Sequence, residues 1–339
     1  YFLDNALMWL RDYRLDGLRL DAVHAIIDTS ATHLLEELTV EIGQLATKLG
    51  RPLTLVAESD LNDPRIITSR EFGGYGVAAQ WSDDFHHALH AALTGEKTGY
   101  YEDFGSLTDI AAALTRGFVY TGQHSRHRGR QHGRALPATV SPTQLFGYSQ
   151  THDQVGNRAR GERLAALVSP GLLKVAAALV LTSPFTPMLF MGEEWAASTP
   201  WQYFTQHDDP ELIESIRRGR RGEFTSFGWQ PGQIPDPQDP QTARCSVLDW
   251  TELDRAPHRE ILHWYRDLIA LRHTRADLRE IGFANVTADA DDDVRVVTMT
   301  RGSTVVVANL SPSPRTVKVG ASEVLLASGP AFVCHHLVR

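Results

Sequence analysis

Two short apolar runs in this chain each stop on an acidic residue, and a full helix lies between them. Residues 17–20 run into Asp21, and Leu53-Thr54-Leu55-Val56-Ala57 runs into Glu58. Between them Leu34, Leu35, Leu38, Ile42, Leu45 and Leu49 recur at helical spacing, which predicts a helix over 31–49 with Gly50 as its stop. Strands separated in this way do not form a hairpin. They lie parallel, with the helix as crossover. The alternation continues with a weak strand over 77–80, helices over 85–93 and 107–118, and a strand over 145–149 that ends near His152-Asp153. A helix over 170–181 then precedes a strand over 187–191 that ends at Gly192-Glu193-Glu194. A doubly wound sheet also places its sites at strand ends. No glycine-rich phosphate turn follows any of these strands, so the α/β fold expected is a (β/α)8 TIM-type barrel.

The chain opens on Tyr1 and directly on a helical repeat of Leu3, Leu7 and Leu10. With roughly five of eight barrel strands in view, the expectation is an N-terminally incomplete barrel that begins at about strand 4. An open barrel leaves an unpaired strand edge, so the 339-residue chain alone is expected to be inactive. Residues 121–143 are rich in Gly, His, Arg and Pro without periodicity and predict a long surface loop. A charged helix over 210–223, a Pro- and Gln-rich loop over 230–241 and an amphipathic helix over 258–271 follow. Beyond Thr274 the chain becomes β-rich at 294–300, 304–310, 315–319, 324–326 and 331–336, the pattern of a small antiparallel β-sandwich. The expected division is a barrel domain over 1–273 and a sandwich domain over 274–339.

A net charge of −8 argues against a nucleic-acid partner. No apolar run reaches the roughly 18 residues that a membrane span needs. Cys245 and Cys334 form neither a disulfide framework nor a metal spacing, which makes a cytoplasmic setting the default. His86 and His90 sit four apart on a predicted helix beside His87, but they lack the glutamate of the zinc-protease arrangement, so no metal is expected there. Oligomeric state is open.

Acids at the ends of adjacent barrel strands fit one chemistry well. Cleaving a glycosidic bond takes two carboxyl groups flanking the sugar, one to attack or activate water and one to protonate the leaving oxygen. Their environments must push their pKa values apart. Asp21 and Glu58 would end neighbouring strands, and Asp153 would face them across the barrel mouth. Arg19 is two residues before Asp21 and therefore on the same side of its strand, where it can hold a carboxylate ionised. His24 and His152 are candidate donors to sugar hydroxyls. Trp81 is a candidate stacking residue, and Asp84 and Glu193 are further candidate substrate contacts. Each has a structural alternative: a helix cap for Asp21, a solvated strand edge for Glu58, a turn for Asp153, a core role for Trp81 and a loop acid for Glu193. The arginines at 126, 128 and 130 are expected to form a solvated basic loop.

Asp16-Gly17-Leu18-Arg19-Leu20-Asp21-Ala22, Val56-Ala57-Glu58 and Thr151-His152-Asp153 resemble, in order, three segments of the α-amylase-type glycoside hydrolase family. Within that family, Glu58-Ser59-Asp60-Leu61-Asn62-Asp63-Pro64, Gln80-Trp81-Ser82-Asp83-Asp84-Phe85-His86-His87 and His152-Asp153-Gln154-Val155-Gly156-Asn157-Arg158 resemble the maltooligosyltrehalose trehalohydrolase group. Phe190-Met191-Gly192-Glu193-Glu194 and Gln202-Tyr203-Phe204-Thr205 do so as well. The resemblance implies a retaining hydrolase with Asp21 as nucleophile, Glu58 as acid/base and Asp153 as the third carboxylate. It would cut the α-1,4 link next to the terminal trehalose of maltooligosyltrehalose. For a retaining enzyme the carboxyl groups are expected roughly 5–5.5 Å apart. The family's early Asn-His strand segment has no counterpart here. The chemistry needs no cofactor, and a structural cation is neither indicated nor excluded. A glucan branching enzyme is the nearest alternative, and a non-catalytic α-glucan-binding protein is the alternative of another class.

Overall fold

The structure is a computed structural model that describes residues 1–225, 234–279, 282–320 and 323–329. In chain order the elements begin with α1 (Phe2–Arg11), β1 (Gly17–Leu20), α2 (Leu34–Leu49), β2 (Thr54–Ala57), β3 (Ala79–Trp81) and α3 (Asp83–Thr94). They continue with α4 (Leu107–Arg116), β4 (Thr121–Ser125), β5 (Arg130–Gly133), β6 (Leu145–Gly147), α5 (His152–Gly156), α6 (Leu164–Leu167) and α7 (Pro170–Thr182). The last are β7 (Thr186–Pro187), α8 (Pro210–Thr225), α9 (Pro240–Cys245), α10 (His258–Thr274), β8 (Val286–Asp291), β9 (Val296–Arg301) and β10 (Thr304–Asn309).

Five strands form one sheet in the order β1-β2-β3-β6-β7, and each neighbouring pair is parallel. The order never reverses, which separates a barrel arc from a doubly wound sheet. A three-stranded antiparallel sheet, β10-β9-β8, follows the arc. Register decides where the chemistry falls. Gly17 pairs with Thr54 and Leu20 with Ala57, so β1 and β2 end level and Asp21 and Glu58 emerge side by side. The ladder runs one step past the strands, with Glu58 N–H donating to the Leu20 carbonyl at 2.9 Å and Val23 N–H to the Glu58 carbonyl at 3.1 Å. A Cβ on Gly17 would lie 2.6 Å from the Thr54 carbonyl oxygen, so only glycine lets the strands enter this pairing undisturbed.

Helix α2 buries Leu35, Leu38, Ile42 and Leu45 as one stripe, and Gly50 stops it in the left-handed region at φ 65°. Helix α3 is buried from Asp84 to Leu93, because α4 and α7 cover it. The core passes without a break from Leu55 and Leu89 through Ile110 and Leu114 to Val297 and Met299 of the antiparallel sheet. The expected boundary after residue 273 falls at the end of α10, beside this shared core.

The elements depart from expectation in four places. Residues 121–143 are not one long surface loop, because β4 and β5 pair there as an antiparallel hairpin that buries Ser125 and His132. Its turn closes at Gly129, φ 62°, and it folds back onto carboxylates that the local sequence does not reveal. The strand expected over 187–191 shrinks to Thr186–Pro187, since Pro187 has no N–H for the ladder and the chain soon turns through Gly192 at φ 86°. In the C-terminal region the described strands are β8, β9 and β10. Residues 315–319 and 324–326 carry no strand, and 331–336 lie outside the described residues. Strand β8 is weakly signalled in the sequence because Val286-Thr287-Ala288-Asp289-Ala290-Asp291 alternates with small rather than large apolar residues. Of the loop expected over 230–241, residues 230–233 are outside the described residues, and α9 begins at Pro240 behind an Asp239 cap.

Candidate active site

Arg19 joins the three acids. Its Nη1 donates to Asp21 Oδ1, and its Nη2 stands 3.8 Å from Glu58 Oε2 and 3.6 Å from Asp153 Oδ2. The strand ends supply the framework: Asp21 follows β1, Glu58 follows β2, and Asp153 sits in the first turn of α5 after β6. Helix α5 is fixed at its start by Thr151, whose hydroxyl accepts from Asp153 N–H in a capping box with Gln154. Its end is held by Arg220 of α8, which donates to the Gly156 carbonyl. Asp21 is the open member, with a side chain 78% exposed against 17% for Glu58. Ala22 takes the left-handed conformation, φ 43°, and so turns its N–H onto Glu58 Oε2 at 2.5 Å. An L-residue with a side chain is held there at a cost of about 1 kcal/mol.

The two histidines lie on either side of this cluster. His152 Nε2 is 3.2 Å from Asp153 Oδ1, with its ring edge-on to Trp81. His24 Nδ1 is 3.7 Å from Asp60 Oδ1. Asp60 also accepts from Arg128 Nη2 at 2.8 Å, and its backbone carbonyl meets His132 Nε2 at 2.8 Å. Burial pushes the Asp60 carboxyl up, but the hydrogen bond and charge of Arg128, with His24 and His132, outweigh it and leave Asp60 below the ordinary carboxylate value. Arg128 is therefore no part of a merely solvated basic loop. The β4–β5 hairpin carries it back to an acid two residues past Glu58.

Trp81 is only 8% exposed, and one ring face is covered by the Arg19 guanidinium, whose Cζ is 4.3 Å from the ring centroid. Beneath it Tyr148 donates to Asp83 Oδ1. Burial drives the Asp83 carboxyl up to about 7 against the opposing Tyr148 hydrogen bond, and the charges of Glu58, Asp60 and Asp84 add to the rise. His86 stacks on Tyr148 and spans Ser149 and Tyr101. The Ser149 carbonyl can only accept, so Nδ1 carries the proton and Nε2 accepts from the Tyr101 hydroxyl. Burial and the neighbouring His87 and His90 push this imidazole well below its usual value. His90 Nε2 is 2.7 Å from Glu96. These ring nitrogens are spent on protein partners, and among the described residues no group of three or more His, Cys, Asp or Glu is arranged for a metal ion.

Two expected substrate contacts are not brought into the cluster. Asp84 is buried, and its Oδ2 accepts from Asn62 Nδ2 at 2.7 Å, Val119 N–H at 2.6 Å and Tyr120 N–H at 2.9 Å. It ties α3 to the chain that enters the hairpin. Glu193 is buried as well, with Oε1 accepting from the Tyr265 hydroxyl and Oε2 from Phe190 N–H, both at 3.0 Å. Its burial raises it to about 7. Nothing in the local sequence marks a role for Asp83 or Tyr148. Adjacent acids in one motif look alike until the start of α3 turns one towards Tyr148 and the other towards Asn62.

Proteins of known kind are similar to this chain in sequence. Malto-oligosyltrehalose trehalohydrolase of Mycobacterium tuberculosis (strain ATCC 25618 / H37Rv) is 50% identical over 331 residues, which is 97% of this chain and 57% of that protein. The enzyme of the same name from Arthrobacter ramosus is 53% identical over 317 residues, 93% of this chain and 54% of its own length. Over nearly its whole length, then, the chain is similar to malto-oligosyltrehalose trehalohydrolases. It spans a little over half the length of these curated relatives. Among solved structures, a Salmonella typhimurium protein assigned as an alpha amylase superposes with a TM-score of 0.85 at 33% identity, covering 96% of this chain and 56% of that one. Residues 282–333 match a family described as a domain of unknown function, DUF3459. The five-stranded arc of an α-amylase-type barrel, followed by a three-stranded antiparallel sheet, is the architecture found here.

Proposed function

We propose that the chain carries the catalytic face of a retaining glycoside hydrolase that cuts the α-1,4-glucosidic bond next to the terminal trehalose of maltooligosyltrehalose and releases trehalose. The observation that supports this most is the gathering of Asp21, Glu58 and Asp153 around one guanidinium, Arg19, at the C-terminal ends of parallel strands. In this reading Asp21, the exposed acid, attacks the anomeric carbon and forms a glycosyl ester. Glu58 gives its proton to the departing sugar oxygen and then takes one from the water that cleaves the ester. Asp153 holds hydroxyls of the distorted ring, while His24 and His152 donate to sugar oxygens. Arg19 donates to the nucleophile and holds it in place. The α-glucan oligosaccharide is the one partner this requires, and no cofactor enters. The use of only two cysteines supports a cytoplasmic setting. No described helix is long and apolar enough to cross a membrane.

The test uses a protein of the relatives' length that carries this chain, incubated with maltooligosyltrehalose. Trehalose is the expected first product. Asp21→Asn is expected to lower turnover by about a thousandfold or more, about 4 kcal/mol of transition-state stabilisation, while substrate binding persists. Transfer of glucan chains into branches would replace this reading with a branching enzyme. Binding without any turnover by the unmutated protein would make it a glucan-binding protein.

A further inference from the structure

We propose that Trp81 is a positioning residue: its ring face holds the Arg19 guanidinium in place, so that one cation stays within reach of Asp21, Glu58 and Asp153 together. The inference rests on the hydrolase reading of those three acids. Hydrogen bonds alone do not orient Arg19. Nη1 donates to Asp21, whereas Nε and Nη2 are buried without a hydrogen-bond partner, and the gaps from Nη2 to Glu58 and Asp153 are 3.8 Å and 3.6 Å. A guanidinium pinned at one corner swings about that corner. The indole restricts this freedom, because the guanidinium carbon Cζ sits over its ring, 4.3 Å from the centroid and well inside the roughly 6 Å range of a cation–π contact.

Trp81 is itself held. Tyr148 meets it edge-on at 5.8 Å and His152 at 6.0 Å. Tyr148 is fixed in turn by its bond to Asp83 and by the stacked His86 at 5.5 Å. The chain of contacts from Asp83 through Tyr148 and Trp81 to Arg19 gives the motif Trp81-Ser82-Asp83 a task that direct sugar contact does not explain. A stacking platform for sugar offers an open face, and Trp81 is 8% exposed with one face already taken.

The experiment is a double-mutant cycle between Trp81 and Arg19 in the protein of the relatives' length, reading kcat and KM separately. Trp81→Leu is expected to lower kcat about tenfold with KM within about twofold. Trp81→Phe, which keeps a smaller ring face, is expected to lose less and supplies the measurement if the leucine variant fails to fold. Against Arg19→Lys, whose ammonium does not stack as a plane, the added cost of either Trp81 change is expected to fall to about twofold or less. A raised KM with kcat intact would make Trp81 a sugar-stacking residue, and an equal kcat loss in both backgrounds would show that it does not act through Arg19. Either result overturns the proposal. Turnover that survives Asp21→Asn removes the hydrolase reading itself, a separate failure.

Discussion

At the scale of single residues, position along a strand and burial carry different information. Asp21 and Glu58 are legible in the sequence because each ends an apolar run, and the level register of β1 and β2 makes those ends coincide. Glu193 looks the same in sequence, as an acid after a short run, yet it is buried against Tyr265 and Phe190. That difference has a pH signature. Burial raises the Glu193 carboxyl from an ordinary 4.5 to about 7, so the folded state holds a proton that the unfolded state has already released. Stability attributable to this group therefore falls as pH rises from about 4.5 to about 7 and is level above that, a loss on the order of 3 kcal/mol. Asp83, raised to about 7, and Asp84, raised to about 6, slope the same way. Glu193→Gln keeps the shape, with its amide oxygen accepting from Phe190 N–H and its NH2 donating to the Tyr265 hydroxyl oxygen, and removes one titration. Urea unfolding at pH 5 and pH 8 is expected to show a smaller stability loss in the variant than in the parent, and equal losses would sink the assignment.

At the scale of elements, helical repeats and buried strands are well signalled, and the contacts between distant elements are not. The periodicity of residues 258–271 predicts α10 to within a few residues. Nothing local says that Arg272, near its end, turns inward. Its guanidinium donates to the carbonyls of Leu181 at 2.8 Å, Ser183 at 2.8 Å and Phe185 at 2.7 Å. Arg301 of β9 adds bonds to Thr182 at 2.9 Å and Ser183 at 2.8 Å. Together they satisfy the carbonyls that the end of α7 leaves without helical partners. Burial and the neighbouring Arg301 bring Arg272 down to about 10. Because Arg301 comes from the antiparallel sheet, it is also a clamp between that sheet and the barrel arc. Arg301→Met keeps the length of the side chain and strips these donors, and it is expected to cost about 2–4 kcal/mol by calorimetry or urea titration. Arg266→Met, on an exposed part of α10, serves as the control and is expected to stay within about 0.5 kcal/mol. Equal effects from the two changes would show that the buried bonds contribute nothing specific.

For the whole molecule, the barrel was legible from the alternation of strands and helices with acids at the strand ends, since that pattern leaves few ways to pair the strands. The hairpin at 121–133 was not, because its residues answer to Asp60 and Asp103, which lie elsewhere in the chain. The same geometry bears on what the 339-residue chain does by itself. β1 is the outermost of the five parallel strands, and no described strand pairs with its other edge. Beside it, in and just after α1, Phe2 is 66% exposed, Tyr13 62% and Leu15 42%. An open strand edge next to exposed apolar side chains is a template for association with other chains. That edge is also the strand that presents Arg19 and Asp21, so any slack in it loosens the cluster on which the proposed chemistry depends. Assayed alone, the chain is expected to self-associate, visible as a rising mass by light scattering with concentration, and to release trehalose far more slowly than a protein of the relatives' length. A monomeric chain turning over maltooligosyltrehalose at the longer protein's rate would show instead that five strands suffice to hold Arg19 between its three acids.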